Sequence, residues 1–65
     1  MKNIELYSIL KDTRDDVTGF WVTTRDIYSG MTHTMFLHEY TSKRALIAYL
    51  RSRGIICPHR AYRNK

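Results

Sequence analysis

The residues of this chain best suited to chemistry are seven basic side chains in its last 24 residues, where no acidic residue occurs. They are Lys43, Arg44, Arg51, Arg53, Arg60, Arg63 and Lys65. The first 41 residues instead contain four basic and six acidic residues, and the whole chain has a net charge of +5. Cations concentrated at one end of a small protein attract anionic partners such as nucleic acid or an acidic protein surface. We therefore expect a binding function.

The first of these cations belong to the start of a helix. Lys43 and Arg44 would lie beside the positive end of the helix dipole, which costs roughly 0.3–1 kcal/mol each at low salt. Two cations beside unpaired helix amides predict a phosphate or carboxylate site. The alternative is that both side chains extend into water and the cost is tolerated. Arg51 and Arg53 would occupy the C-terminal end, where positive charge is favourable without any functional reason.

The last eight residues, 58–65, are read as a basic tail that follows a single domain of residues 1–57. Arg60 and Arg63 alternate with aromatic and small residues in this tail, a composition that could hold a phosphate backbone. Such tails also serve as solubilising ends, and the sequence leaves both readings open. Pro58 is expected to end regular structure, so that a loose tail follows it.

Catalytic and metal chemistry have little support in the sequence. No nucleophile motif, Gly-rich phosphate loop or zinc-protease helix occurs, so we expect no enzyme activity and no cofactor. Cys57 and His59 are close in sequence, but His33 and His38 are an odd number of residues apart. On one strand those two imidazoles would point to opposite faces, so we expect no metal site.

The elements that must position these residues form an α+β fold. Residues 4–11 alternate as a strand does, although a short helix capped by Asn3 fits nearly as well. Residues 12–19 have the composition of a turn, residues 20–28 and 31–40 are predicted strands, and 29–30 is a short turn. Thr41 or Ser42 would cap a helix that ends near Gly54. This order predicts a three-stranded antiparallel β-sheet packed against one C-terminal α-helix, with Ile55 and Ile56 returning as an extended piece.

Alternation along the strands assigns side chains to the two faces of the sheet. The helix is expected to present Ala45, Leu46, Tyr49 and Leu50 to one face, whose residues would be Leu6, Leu10, Phe20, Val22, Met35 and Leu37. The opposite face would then carry Tyr7, Trp21, Thr23, Arg25, Thr32 and Thr34. Aromatic, hydroxyl and guanidinium groups of this kind suit stacking and base-edge contacts. The alternative for Trp21 is that it belongs to the core.

The order of these elements from Gly19 onward resembles two families. The Phe-Trp-Val-Thr-Thr-Arg-Asp strand, Ser-Gly turn, second strand and Tyr-Thr-Ser-Lys-Arg-Ala helix are similar to the arm-binding domains of tyrosine integrases and to plant AP2 domains. That resemblance implies a sheet that enters the DNA major groove, with Trp21, Thr23, Arg25, Thr32 and Thr34 facing DNA. This chain departs from the pattern of those domains, because most of its basic residues lie on the helix and tail and not on the sheet.

The chain also resembles, in size and element order, the very small phage proteins that inhibit host enzymes. Two functions therefore stay open: a small non-catalytic protein that binds nucleic acid, DNA rather than RNA, or an inhibitor or adaptor that binds an acidic surface of a host enzyme or complex. With one cysteine and no long apolar run, we expect a cytoplasmic protein, in the host cell if phage-encoded, with no membrane contact. A homodimer through an edge strand is a further possibility.

Overall fold

The computed structural model describes residues 3–62 and contains an antiparallel sheet followed by one helix. The strands are β1 (Ile4–Arg14), β2 (Val17–Asp26) and β3 (Thr32–Leu37), in the order β1-β2-β3, and the helix is α1 (Lys43–Ser52). This confirms the predicted α+β fold, and residues 4–11 form a strand rather than a helix. Among residues 3–62, no helix is long and apolar enough to span a bilayer.

The connection between β1 and β2 is much shorter than predicted. The strands extend through most of residues 12–19 and leave only Asp15 and Asp16 as the turn, with φ angles of 50° and 66°. Two successive left-handed residues match the twist of a two-residue hairpin, and aspartate tolerates that conformation better than most residues. The Thr13 and Thr18 hydroxyls lie 2.9 Å apart across the strands, so these residues belong to the ladder.

A β-bulge at Tyr7 changes which residues of β1 face the helix. Leu6 lies opposite Thr24, whereas Ser8 already lies opposite Thr23, so one extra residue is accommodated in β1. Beyond the bulge the alternation of side chains is inverted. Ile9 therefore packs against the core, and the prediction that Leu10 does so is wrong, because Leu10 is 65% exposed.

The core lies between the sheet and α1. Its buried apolar residues are Leu6, Phe20, Val22, Leu46, Ile47 and Leu50, and Leu37 packs against them. The predicted helix face is correct for Leu46 and Leu50 but wrong for Ala45 and Tyr49, which are exposed, because the helix is rotated to bury Ile47 instead. Met35, also predicted to be covered, is 42% exposed because it lies on the edge strand.

Residues after α1 return to the sheet and close the core. Gly54 has a φ of 83°, and Ile56 then forms a parallel bridge beside β1. The Leu6 N–H donates to the Ile56 carbonyl at 2.7 Å, which confirms the predicted extended piece. His59–Ala61 forms a short 3₁₀ helix, and both Ala61 and Tyr62 pack against the core. The expectation of a loose tail is therefore wrong for residues 58–62.

Candidate functional site

A groove between α1 and the segment after the 3₁₀ helix collects the cations of the helix. It has a volume of about 400 Å³, and its lining residues in the described chain are Lys43, Arg44, Ile47, Ala48, Arg51 and Tyr62. The helical members recur at intervals of three and four residues, so they form one stripe along α1, and Tyr62 supplies the facing wall. We call this feature the helix–tail groove.

Tyr62 fixes the groove at both ends. The Lys43 Nζ donates to the Tyr62 carbonyl oxygen at 2.8 Å, and an Arg51 guanidinium N–H donates to the Tyr62 hydroxyl at 3.2 Å. The two cations are two helical turns apart, so the bonds tie the first and last turns of α1 to the same residue. The groove is thereby held open in a defined shape before any ligand enters.

The charge and polarity of the groove favour an anion with an adjoining apolar part. Lys43, Arg44 and Arg51 contribute three positive charges, and none of the described lining residues is acidic. The first turn of α1 also contains no acidic residue. Ile47 and Ala48 provide an apolar floor between the cations. A phosphate or carboxylate therefore finds charge-assisted hydrogen-bond donors together with a surface for sugar or aliphatic atoms.

The remaining predicted basic contacts are not all brought to this groove. Arg53 caps the C-terminus of α1 with its backbone and has an exposed side chain, but it does not line the groove. Arg60 lies on the β1 side, with its guanidinium 3.8 Å from a Glu5 oxygen. Arg63 lies outside the described residues. Of the described cations in the second half of the chain, Lys43, Arg44 and Arg51 therefore form the shared site.

Trp21 lies on the sheet face opposite α1, where it is the centre of a cross-strand cluster. Its Nε1 donates to the Asp12 carboxylate at 3.0 Å, and its ring centroid is 5.0 Å from that of Phe36. The Arg14 guanidinium lies over the same indole ring at 5.1 Å. Trp21 is only partly buried and is not among the core residues, so the alternative reading that places it in the core is wrong.

The other predicted contacts on this open face are also engaged with their neighbours. The Thr23 and Thr34 hydroxyls lie 3.0 Å apart. Arg25 donates to Glu5, from Nε at 3.1 Å and also from Nη2, and its guanidinium lies over the Tyr7 ring. These side chains pair with one another, so contact with a ligand would require existing bonds to be exchanged.

Several members of these two surfaces carry no signal in the sequence. Asp12, Arg14 and Phe36 join Trp21 because of strand register, which a strand pattern alone does not define. Phe36 also lies where Gly19 leaves room, since a Cβ on Gly19 would lie only 2.8 Å from the Phe36 ring. Tyr62 is one of the aromatic residues of the tail in the sequence, and a backbone carbonyl carries no sequence signal as a lysine acceptor.

Cys57 is a free, partly buried cysteine whose thiol is a poor nucleophile. Burial raises the pKa of Cys57 above the ordinary thiol value, and the nearby Arg51 charge acts in the opposite direction. A raised pKa keeps the thiol protonated at neutral pH, and the thiolate is the reactive form. In residues 3–62, no group of three or more His, Cys, Asp and Glu side chains is arranged to hold a metal ion.

Comparison of the chain with protein-family models, with curated proteins and with solved structures found no match. The resemblance to integrase arm-binding domains and AP2 domains therefore stays a prediction from element order, as does the resemblance to phage inhibitors. The function has to follow from the charge, shape and hydrogen bonds of the two surfaces.

Proposed function

We propose that this protein is a small, non-catalytic nucleic-acid-binding protein that holds backbone phosphates in the helix–tail groove. The observation that carries the proposal is the convergence of Lys43, Arg44 and Arg51 on one groove without an acidic lining residue. Phosphate contacts of lysine and arginine supply most of the sequence-independent affinity of DNA-binding proteins. Tyr62 supports this role because it holds two of the three cations in place.

The open sheet face is the weaker candidate for the same role. The acidic side chains of Glu5 and Asp12 accept bonds from Arg25 and Trp21, so two potential nucleic-acid contacts are already paired with carboxylates. Carboxylates at a phosphate-binding surface oppose binding by like-charge repulsion. Trp21, Thr23 and Arg25 therefore serve mainly to hold the three strands together in this proposal.

Binding through phosphates predicts affinity for duplex DNA with little sequence preference. Three cations give a modest, salt-sensitive interaction, with a non-specific dissociation constant on the order of 10⁻⁴–10⁻⁶ M at physiological salt. The apolar floor at Ile47 and Ala48 can contact the sugar between two phosphates. The protein would discriminate little between DNA sequences, because the groove contacts phosphates and not the edges of the bases.

Charge-reversal variants test the proposal. Arg44→Glu and Arg51→Glu should each weaken binding of a fluorescently labelled duplex by at least tenfold in an anisotropy titration at low salt. The matched control is Arg53→Glu, which makes the same change of charge at the residue that caps α1, outside the groove. Equal losses in all three variants would show that only net charge matters, and the groove would then not be the binding site.

A second candidate is an inhibitor or adaptor that binds an acidic protein surface. It is favoured by the exposed apolar side chains Tyr7 and Leu10 on the open face, which are 55% and 65% exposed. Apolar and aromatic anchors beside paired charges are typical of protein–protein contacts. This candidate predicts no duplex or single-stranded binding at low salt, together with capture of a protein partner that Leu10→Lys abolishes.

A further inference from the structure

The two edges of the sheet are protected very differently. The outer edge of β1 is interrupted by the bulge at Tyr7, is paired with Ile56 at one end and carries Lys11, Asp12 and Arg14. Bulges, charges and covering segments are the devices by which proteins prevent edge-to-edge pairing. β3 has the sequence Thr-His-Thr-Met-Phe-Leu, with no bulge, proline, lysine or carboxylate. In residues 3–62, only β2 pairs with it.

The backbone of β3 directs N–H and C=O groups to its outer edge, where they can pair with another strand. The Asp26 N–H donates to the Met31 carbonyl at 2.8 Å, so every second residue from Met31 bonds to β2. The intervening residues, Thr32, Thr34 and Phe36, then direct their N–H and C=O groups to the free edge. The close contact of the Thr23 and Thr34 hydroxyls agrees with this assignment, because side chains approach most closely at non-hydrogen-bonded pairs.

Apolar side chains are exposed along the same edge. Met35 lies on the helix side of β3 and is 42% exposed, and Met31, just before the strand, is 66% exposed. α1 does not cover them, although Val22, directly opposite Met35 on β2, is completely buried. A strand added beside β3 would place its own side chains next to these methionines and reduce their exposure.

The distribution of charge selects a second copy of this chain as the partner. The helix–tail groove is bounded by Tyr62, and the preceding 3₁₀ helix contacts β1, at the opposite side of the sheet from β3. Two copies can therefore meet along the uncharged β3 while their cationic grooves stay at the outer ends. Keeping the two cationic grooves far apart weakens the repulsion between two chains that each have a net charge of +5.

We propose that β3 pairs antiparallel with β3 of a second copy to form a two-fold dimer with a continuous six-stranded sheet. Opposed residues must share a face, so the two-fold axis passes through a residue rather than between two residues. We place the axis at the exposed Met35, which gives the interface an apolar centre. Thr34 of each copy then lies opposite Phe36 of the other. The dimer does not depend on what the groove binds.

Sedimentation equilibrium of the protein alone tests the dimer, with no nucleic acid present. The expected mass at high micromolar concentration is twice the 7.8 kDa of one chain. Met35→Lys and Thr34→Pro should both give monomers, because the first places two charges at the axis and the second removes an outward N–H. Proline is tolerated at such an edge position, and circular dichroism of each variant verifies the fold. If Thr34→Pro does not fold, Met35→Lys alone tests whether the dimer forms through β3.

Leu10→Lys is the matched control, since it introduces the same charge on an exposed apolar position away from β3. It should leave the dimer intact. A wild-type chain that stays monomeric at all concentrations would overturn the proposal. A dimer that survives Met35→Lys but dissociates in Leu10→Lys would also overturn it, because the copies would then meet through the open face.

The register is tested by a disulfide in a Cys57→Ser background. Met35→Cys should cross-link rapidly on mild oxidation, because non-hydrogen-bonded pairs bring the Cβ atoms within disulfide range. Leu10→Cys, equally accessible, should cross-link slowly. Equal rates for the two variants would contradict pairing at Met35.

Discussion

Lys43 and Tyr62 are joined by a hydrogen bond of 2.8 Å from the lysine Nζ to the tyrosine backbone carbonyl oxygen. This bond connects the first turn of α1 with the last described residue of the chain, 19 residues later. A cation that was expected at the helix start therefore points along the groove, toward a segment that was expected to be loose. The functional surface is built by the return of the chain after Gly54.

The start of α1 depends on Ser42 and not on its neighbour Thr41. The Ser42 Oγ accepts a hydrogen bond from the Ala45 N–H at 3.1 Å. Ser42→Ala should lower the free energy of unfolding by about 0.5–2 kcal/mol in urea denaturation, because one helix amide loses its acceptor. Thr41→Ala is the control and should change stability by less. A larger loss from Thr41→Ala would show that the cap is assigned to the wrong residue.

Leu46 and Leu10 provide a matched pair of leucine truncations. Leu46 is fully buried, so Leu46→Ala should cost about 2–5 kcal/mol of unfolding free energy. Leu10 is mostly exposed beyond the bulge, and Leu10→Ala should cost well under half as much. Chemical denaturation of both variants measures the difference. Comparable losses would mean that Leu10 faces the core and that the bulge at Tyr7 is absent.

Trp21 is expected to support stability rather than binding. Trp21→Ala removes the bond to Asp12 and the contact with Phe36, and should cost about 1–3 kcal/mol of unfolding free energy. Under conditions where the variant is folded, its affinity for duplex DNA should stay within a factor of about three of the wild-type affinity. This change is smaller than a tenfold loss, which would correspond to about 1.4 kcal/mol of binding free energy. A stable variant that no longer binds DNA would move the binding site to the open face.

The Cys57 thiol reports on the packing of the segment after α1. Because burial raises its pKa, the rate of iodoacetamide alkylation should reach half its maximum at a higher pH in the folded chain than in the urea-unfolded chain. A raised thiol pKa also means that stability from this group is complete below the unfolded pKa and is lost as pH rises toward the folded pKa.

Arg51 provides the internal check on that titration. Its charge lowers the Cys57 pKa, so Arg51→Ala should move the alkylation midpoint to still higher pH. The matched control Arg53→Ala, at the residue that caps α1, should move the midpoint less. A downward shift in the Arg51 variant would show that the Arg51 charge does not lower the Cys57 pKa.

Sequence patterns were sufficient for the fold but not for the faces of the sheet. The β-branched and aromatic residues of β2, the capping position at Ser42 and the glycine at 54 each specify a local structure. The bulge at Tyr7 has no such signature, and one inserted residue inverts every later side chain of β1. Leu10 was predicted to face the core because this bulge could not be foreseen, and Ile9 packs against the core in its place.

The candidate site was predictable in composition but not in arrangement. Basic residues in the helix were evident from the sequence, and their spacing places Lys43, Arg44 and Arg51 along one stripe. The groove, however, needs a second wall, and Tyr62 provides it only because the 3₁₀ helix turns the chain back toward α1. The two hydrogen bonds of Tyr62 reach Arg51, which is 11 positions away in the sequence, and Lys43, which is 19 positions away. Local sequence patterns do not extend over such separations.

The salt dependence of duplex DNA binding tests the central claim most directly. For contacts of Lys43, Arg44 and Arg51 with phosphates, neutralising Arg44 and Arg51 together to glutamine should reduce the slope of log K against log salt concentration by about 2. Neutralising Arg53 should leave the slope nearly unchanged. An unchanged slope in the double variant, or absence of binding by the wild-type protein at low salt, would contradict nucleic-acid binding in the helix–tail groove.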